Sequence, residues 1–382
     1  MFFLKSFQQA IREELLDGWL FCNFHHRDLL TDSLLDIDSQ AVSTREWFYL
    51  ITASDTPVKI VHSIECTILD NLPGNRLVYT SREELEQLLS RFSGLKIAVL
   101  SDQYLQILST MDAASFNLLQ RCNIRTTSAA SLIQRIRGVL DEQGIASHER
   151  AADALYRIIH LTWLEAVRCF NTDTNLYEKD LSDFILNCFQ REGLVTDHSP
   201  IIAAGCNSAN PHHETGKIRI EKNSVVQFDL WAKYPGGIYA DISWCGYYGH
   251  QAPSALEDEF TTLLTARDLV KPVIEKTFAS GNSISGFTLD SLVRSYLIEQ
   301  FSSEYLRHRT GHGIDTDCHG SGVNLDSIEF PDNRVLLEGS CFSVEPGVYF
   351  KDHGFRTEID IYIHNGHPVI SGGEIQQQLL VT

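Results

Sequence analysis

The chain has 382 residues, 43% of them hydrophobic, enough apolar material for a sizeable core and, by length, for two or three domains. Its 50 Asp and Glu against 31 Lys and Arg leave a formal charge of -19, and no basic run is long enough to track a phosphate backbone, which argues against nucleic acid as a main partner. The nine cysteines are odd in number, widely spaced and never arranged C-x-x-C, so they read as reduced thiols and point to a cytoplasmic protein.

At the N-terminus, Leu4, Phe7, Ile11 and Leu15 share one helical face and charges interrupt the apolar run, which argues against a signal peptide. No apolar run approaches a membrane span, so no membrane association is expected. Up to about residue 142, helices alternate with strand-like "GWLFCNF", "EWFYLITA", "VKIVHSIE" and "LKIAVLSD", the pattern of one α/β domain over 1–142. His25 and His26 are adjacent, so they point differently in any regular element and read as structural. In "LDEQGIASHE", Gly144 interrupts the pattern and Ser147 is placed to cap a helix starting at His148, giving a second domain over 143–382.

That second domain repeats a plan. Helices near 148–170 and 179–192 precede strand-like "SVVQFDLWA" and "GIYADISWCGYYG"; helices from about 254 and near 289–303 precede "SCFSVEPGVYF" and "FRTEIDIYIH". Four acids interrupt these apolar strands: Asp229, Asp241, Glu345 and Glu358. A carboxylate buried without a partner costs several kcal/mol, so acids in such places tend to be paired or metal-bound. With turns at Tyr234–Gly237 and near Lys351–Asp352, Asp229 is expected to face Asp241 and Glu345 to face Glu358. Such spacing suits two metal ions about 3.5–4 Å apart. Between the hairpins, "RHRTGHGIDTDCH" holds His308, His312 and His319, with His312 between Gly311 and Gly313. Two Asp, two Glu and His312 make a dinuclear site whose donors suit Mn²⁺, Co²⁺ or Zn²⁺ and, with an imidazole present, argue against Ca²⁺.

"FDLWAKYPGGIYADIS", "HRTGHGIDTDCH", "SVEPGVY", "FRTEID" and "AAGCNSANPHH" occur in the order of the signature blocks of one family, which residues 148–382 therefore resemble. It is the pita-bread-fold metallopeptidases, which include methionine aminopeptidase, aminopeptidase P, prolidase and the metal-free creatinase. The first domain is similar to the creatinase-like N-terminal domain of the aminopeptidase P and prolidase branch. The resemblance implies a two-domain α/β protein with a C-terminal pseudo-twofold pita-bread domain, and a homodimer or larger assembly.

For the site, the resemblance implies that Asp229 chelates one divalent ion, Asp241 and Glu358 bridge two, and His312 with Glu345 completes the other, Mn²⁺ being expected and Co²⁺ or Zn²⁺ possible. It further implies that His212 lies near the scissile bond, His319 stabilises the tetrahedral intermediate, His308 contacts substrate and Arg356 stands beside the last ligand. His213 is left as a structural or supporting residue. The expected activity is an Xaa-Pro aminopeptidase acting on peptides with proline in the second position, with Glu345 exchanging the proton of the attacking water. The alternatives are an Xaa-Pro dipeptidase, or a binding protein on the same fold whose site has decayed, which the intact ligand set argues against. The chain departs from the family pattern in a longer Asp229–Asp241 loop, in Trp231 for a usual glycine, in Ser243-Trp244 for Thr-Arg, and in Gly320 where an acid is common.

Overall fold

The computed structural model describes residues 3–382, which divide into two compact units, one up to Ile136 and one from Arg137. Among the described residues no helix is long and apolar enough to cross a membrane.

The first unit is a six-stranded mixed sheet with helices. In chain order it comprises α1 (Leu4–Glu13), β1 (Gly18–Asn23), α2 (Leu29–Leu35), β2 (Trp47–Thr52), β3 (Val58–His62), β4 (Asn75–Tyr79), α3 (Arg82–Leu89), β5 (Lys96–Val99), α4 (Ala113–Arg121), β6 (Arg125–Ser128) and α5 (Ala130–Arg137). The strand order is β4-β3-β2-β1-β5-β6. β1 and β2 are buried along nearly their whole length, which is why they read as unbroken apolar runs rather than alternating ones. Side chains of Asp28, Ser81 and Asp112 cap α2, α3 and α4. His26 bonds Asp32 at 2.6 Å and the Ala41 carbonyl at 2.7 Å, a structural role as expected.

The second unit opens with α6 (Glu142–Asn171) and α7 (Glu178–Glu192). α6 starts six residues before the expected His148: Asp141, not Ser147, is its cap, accepting from the Gly144 N–H at 2.8 Å. An Asp cap outweighs the cost of about 1 kcal/mol for a glycine inside the first turns. Ser147 instead accepts from the Ile238 N–H at 3.2 Å.

Strands β7 (Ile201–Ala204), β8 (Val225–Ala232) and β9 (Ala240–Tyr247) follow, then α8 (Ser254–Asp268), α9 (Val270–Ala279) and α10 (Gly286–Gln300). The last strands are β10 (Cys341–Val344), β11 (Gly347–Tyr349), β12 (Gly354–Arg356), β13 (Ile359–His364), β14 (His367–Ile370) and β15 (Leu380–Val381). Sheets β15-β9-β8-β7 and β10-β13-β14, with the β11-β12 ribbon, give the two helix-and-hairpin halves of the pita-bread fold, the second with three helices where two were expected.

Strand alternation decides where the polar residues go. Phe228, Leu230 and Ala232 of β8 and Ala240, Ile242 and Trp244 of β9 pack on α6 and α7. The opposite face of this hairpin therefore carries Gln227, Asp229, Trp231, Asp241, Ser243 and Cys245. In the second half, Phe342, Val344, Ile359, Ile361 and Ile363 pack with residues of α8, α9 and α10, leaving Ser343, Glu345, Glu358 and Asp360 on the other face. Two polar faces, one from each half, are thus turned away from their own helices.

Candidate metal centre

The faces meet through backbone and side-chain bonds. The Glu358 N–H donates to the Ser243 carbonyl at 3.0 Å, and the Asp241 N–H donates to Asp360 Oδ2 at 2.8 Å. Asp229 pairs across the ladder with Ser243, and Asp241 with Trp231, so the two aspartates are diagonal neighbours on one face rather than directly opposed. The connection runs from Lys233 to Tyr239 around a tight turn, with the Gly237 N–H on the Tyr234 carbonyl at 2.8 Å and Gly236 at φ 75°. This moves the hairpin's midpoint one residue past Pro235, and a one-residue move of the midpoint changes each partner by two. The acids keep their common face because the shift is even.

The second pair follows the expected register. β10 pairs with β13 and β11 with β12 in one continuous register, Val344 opposite Ile359 and Gly347 opposite Arg356. Glu345 and Glu358 lie opposite each other in the gap between these two ladders. His312 is delivered by a stretch laid against β10: its N–H donates to Ser343 Oγ at 3.0 Å, its carbonyl accepts from the Ser343 N–H at 2.8 Å, and the Glu345 N–H donates to the Thr310 carbonyl at 2.7 Å. The flanking glycines are needed for close approach. A Cβ on Gly311 would lie 2.0 Å from the Ser343 carbonyl oxygen, and one on Gly313 2.7 Å from the Gly322 backbone.

Donor atoms of Asp229, Asp241 and Glu358 lie within 4.8 Å of one another, as do those of His312, Glu345 and Glu358, and those of Asp241, His312 and Cys318. His312 Nε2 is 3.6 Å from Glu345 Oε1 and 3.8 Å from Asp241 Oδ2. Its Nδ1 faces the Gly313 carbonyl at 3.3 Å, which places the proton on Nδ1 and leaves the Nε2 lone pair toward the acids.

Supporting contacts fix these groups. Arg356 donates to Asp229 Oδ2, to Ser243 Oγ at 3.2 Å, and to Tyr349 Oη and the Pro211 carbonyl at 3.3 Å each. Ser243 Oγ lies 3.0 Å from Asp229 Oδ1 and 2.9 Å from Glu358 Oε2, joining an acid of each half. Tyr349 Oη reaches His308 Nε2 at 2.7 Å, and His308 Nδ1 reaches the Arg309 carbonyl at 2.7 Å. Because Arg356 donates to Tyr349, the tyrosine hydroxyl is the donor to His308, whose proton sits on Nδ1. A Cβ on Gly347 would lie 2.5 Å from Tyr349 Oη, so the glycine of "EPG" makes room for this contact.

The electrostatics favour a cation. Burial and then the Asp229 and Asp360 carboxylates hold the Asp241 carboxyl well above its usual range; burial, then Asp241 and Glu345, do the same to Glu358. Burial lifts Glu345 to about 7 against the opposing pull of Arg356 and Arg309. Burial, with His319 and Arg309 adding, depresses His312, and burial with Arg356 brings His308 to about 3, so both imidazoles are neutral. Asp241 Oδ1 and Glu358 Oε1 are buried with no hydrogen-bond partner. Buried orphan carboxylate oxygens beside a neutral imidazole nitrogen are a donor set for divalent ions, and the residues present fit two of them.

The other expected site residues are placed as follows. His319 is exposed, with its ring centroid 4.2 Å from that of His312. His212 is also exposed; its N–H donates to Asn210 Oδ1, and it follows Pro211, whose carbonyl accepts from Arg356. His213 binds the buried Glu178 at 2.8 Å, and Glu178 in turn accepts from the Ala204 N–H and Asn207. Sequence reasoning gave no site role to Ser243, Tyr349, Asp360 or Cys318. Asp360 was signalled by alternation, since it shares a strand face with Glu358 two residues earlier.

Residues 145–365 match metallopeptidase family M24. An Xaa-Pro dipeptidase of Lactobacillus helveticus is 31% identical over 241 residues, 61% of this chain and 59% of that protein. A putative Xaa-Pro aminopeptidase of Mycoplasma pneumoniae is 28% identical over 179 residues, 46% of this chain and 47% of that protein. The aligned stretches thus span less than two thirds of either relative. A crystal structure of recombinant prolidase from Thermococcus sibiricus superposes with a TM-score of 0.65 at 19% identity, covering 99% of this chain and 98% of that one.

Proposed function

The chain belongs to metallopeptidase family M24, whose peptidases use divalent metals, and from that premise we propose that it hydrolyses the peptide bond preceding proline, with Xaa-Pro dipeptides as its first substrates. The observation that carries the reading is the convergence of five donors from both halves, two of them with orphaned buried oxygens. In this reading Asp229, with Asp241 and Glu358, would hold one ion, and His312 and Glu345, with the same two acids, would hold the other. Two such ions supply Lewis-acid polarisation of the scissile carbonyl and a water of lowered pKa.

The chain's own groups do the rest. Glu345, at the edge of the cluster and only 15% exposed at its side chain, accepts the proton of the attacking water and returns it to the leaving nitrogen. A proline nitrogen in a peptide bond carries no hydrogen, so the site need satisfy no donor there but must deliver a proton as the bond breaks. His319, beside His312, would donate to the developing oxyanion, and His212 would help at the leaving nitrogen. His308, held neutral with both ring nitrogens engaged by Tyr349 and the Arg309 carbonyl, would meet the substrate with its ring face. Arg356 orients Asp229 and Tyr349.

The preference for dipeptides rests on the Xaa-Pro dipeptidase among the relatives. The second reading is an aminopeptidase that removes one residue from longer peptides, favoured by the mycoplasma relative. Mass-spectrometric product analysis of Mn²⁺-loaded protein given an Xaa-Pro dipeptide and an Xaa-Pro-Xaa peptide in one tube separates them. Cleavage of the dipeptide alone supports the first reading, and loss of the N-terminal residue from the longer peptide the second. Cleavage of neither with Mn²⁺, Co²⁺ or Zn²⁺ removes the proline-directed reading.

A further inference from the structure

One donor in the cluster is not an oxygen or an imidazole. Cys318 is buried, and its Sγ lies 3.0 Å from Asp241 Oδ2. With His312 and Asp241 it forms a group whose donor atoms are all within 4.8 Å of one another. Bond lengths of about 2.3 Å to sulfur and about 2.0–2.2 Å to oxygen set two donors on one tetrahedral ion roughly 3.5 Å apart, so this sulfur and this carboxylate have nearly the spacing of co-ligands.

The thiol is held there by its loop. Asp315 accepts from the Asp317 N–H at 2.8 Å and from the Ser321 N–H at 2.7 Å, and the Gly320 N–H closes the loop onto the Gly313 carbonyl at 2.7 Å. A Cβ on Gly320 would lie 2.7 Å from Asp315 Cγ, which accounts for glycine after His319. An independent sign that a ligand belongs beside the thiol is that Asp241 Oδ1 and Glu358 Oε1, in residues 5% and 2% exposed, have no partner.

We propose that Cys318 is a sulfur donor to the ion held by His312, making this centre a mixed nitrogen, oxygen and sulfur site that favours Zn²⁺ or Co²⁺ over Mn²⁺. The proposal rests on the dinuclear reading above. On binding, the thiol proton leaves to solvent, and the S–H···O contact with Asp241 is replaced by a metal–sulfur bond. A soft donor shifts preference from the hard ions that carboxylates alone select toward thiophilic ones, and no oxidant or reductant is required.

The test is a Co²⁺ titration of the metal-stripped full chain, followed by absorption, for wild type, Cys318→Ser and Cys318→Val. The expected result is a near-ultraviolet sulfur-to-cobalt charge-transfer band in wild type that saturates together with the visible d–d bands. Both variants are expected to lose the first band and keep the second. Retained d–d bands show that a variant has folded with the rest of its site intact. Wild-type d–d bands without the charge-transfer band, or a charge-transfer band that survives in Cys318→Val, would overturn the sulfur ligand while leaving the metal centre standing. Absence of both in wild type would overturn the metal centre and the sulfur ligand together.

Discussion

Arg356 binds Asp229 with one arm of its guanidinium and Tyr349 with the other, while its Nε reaches Ser243. Arg356 is 5% exposed and Asp229 7%, so neither charge has water as an alternative partner. Removing one member of a buried pair typically costs about 3–5 kcal/mol, since the other charge is left uncompensated. Arg356→Met is therefore expected to lower the stability of the metal-stripped chain by about that amount in urea unfolding. Arg356→Lys should recover only part, because a single ammonium cannot span Asp229, Ser243 and Tyr349 as a planar fork does.

Gly311 tests the delivery of His312. An added methyl would meet the Ser343 carbonyl at 2.0 Å, and backbone cannot swing aside as a side-chain tip can. Gly311→Ala is expected to cost at least ~1–3 kcal/mol, the range for forced overpacking, and to weaken Mn²⁺ retention by displacing the imidazole. Isothermal titration with Mn²⁺ alongside thermal unfolding checks both; unchanged Mn²⁺ affinity would show that the close approach does not position His312.

The raised acids make a pH prediction whose sign is clear above the ordinary histidine range. Asp241, Glu358 and Asp360 are held above their ordinary range by burial and by one another, and Glu345 lies at about 7 against an ordinary 4.5. Below about 6.5 the depressed imidazoles of His308 and His312 take protons only on unfolding and oppose the acids; above it only the acids still titrate, the folded metal-stripped chain binds more protons than the unfolded one, and stability falls as pH rises. The thermal unfolding temperature of stripped protein is expected to drop as pH rises from about 6.5 through about 7, where Glu345 titrates. Saturating Mn²⁺ should flatten or reverse the slope, because bound cations replace the missing compensation. A stripped protein equally stable across this range would mean that the acids are compensated by other means.

Much of the site was legible because strand alternation is a strict code. Asp229, Asp241, Glu345 and Glu358 interrupt apolar runs at positions whose neighbours must face a core, so the acids had to share the other face. The register of the first hairpin was not legible: whether its midpoint falls at Pro235 or one residue later depends on how Gly236 and Gly237 shape a loop longer than its turn. The start of α6 was missed because Ser147 and Asp141 are both plausible caps and only packing chooses between them. α9 went unread although Pro272 lies in its first turn, because only Leu269 separates it from α8. Ser243, Tyr349 and Cys318 act through contacts distant in sequence, with partners 115, 41 and 77 residues away, which no local pattern reveals.

The central claim is that five side chains from the two halves hold two divalent ions on which hydrolysis depends. It is tested by metal content per chain in protein stripped, reloaded with Mn²⁺ and freed of excess ion, for wild type and Glu358→Gln, with Xaa-Pro dipeptide hydrolysis measured on the same samples. The account predicts two ions per chain and cleavage in wild type, with at least one ion and the cleavage lost in the variant. A variant with the wild-type metal content and full hydrolysis would contradict it.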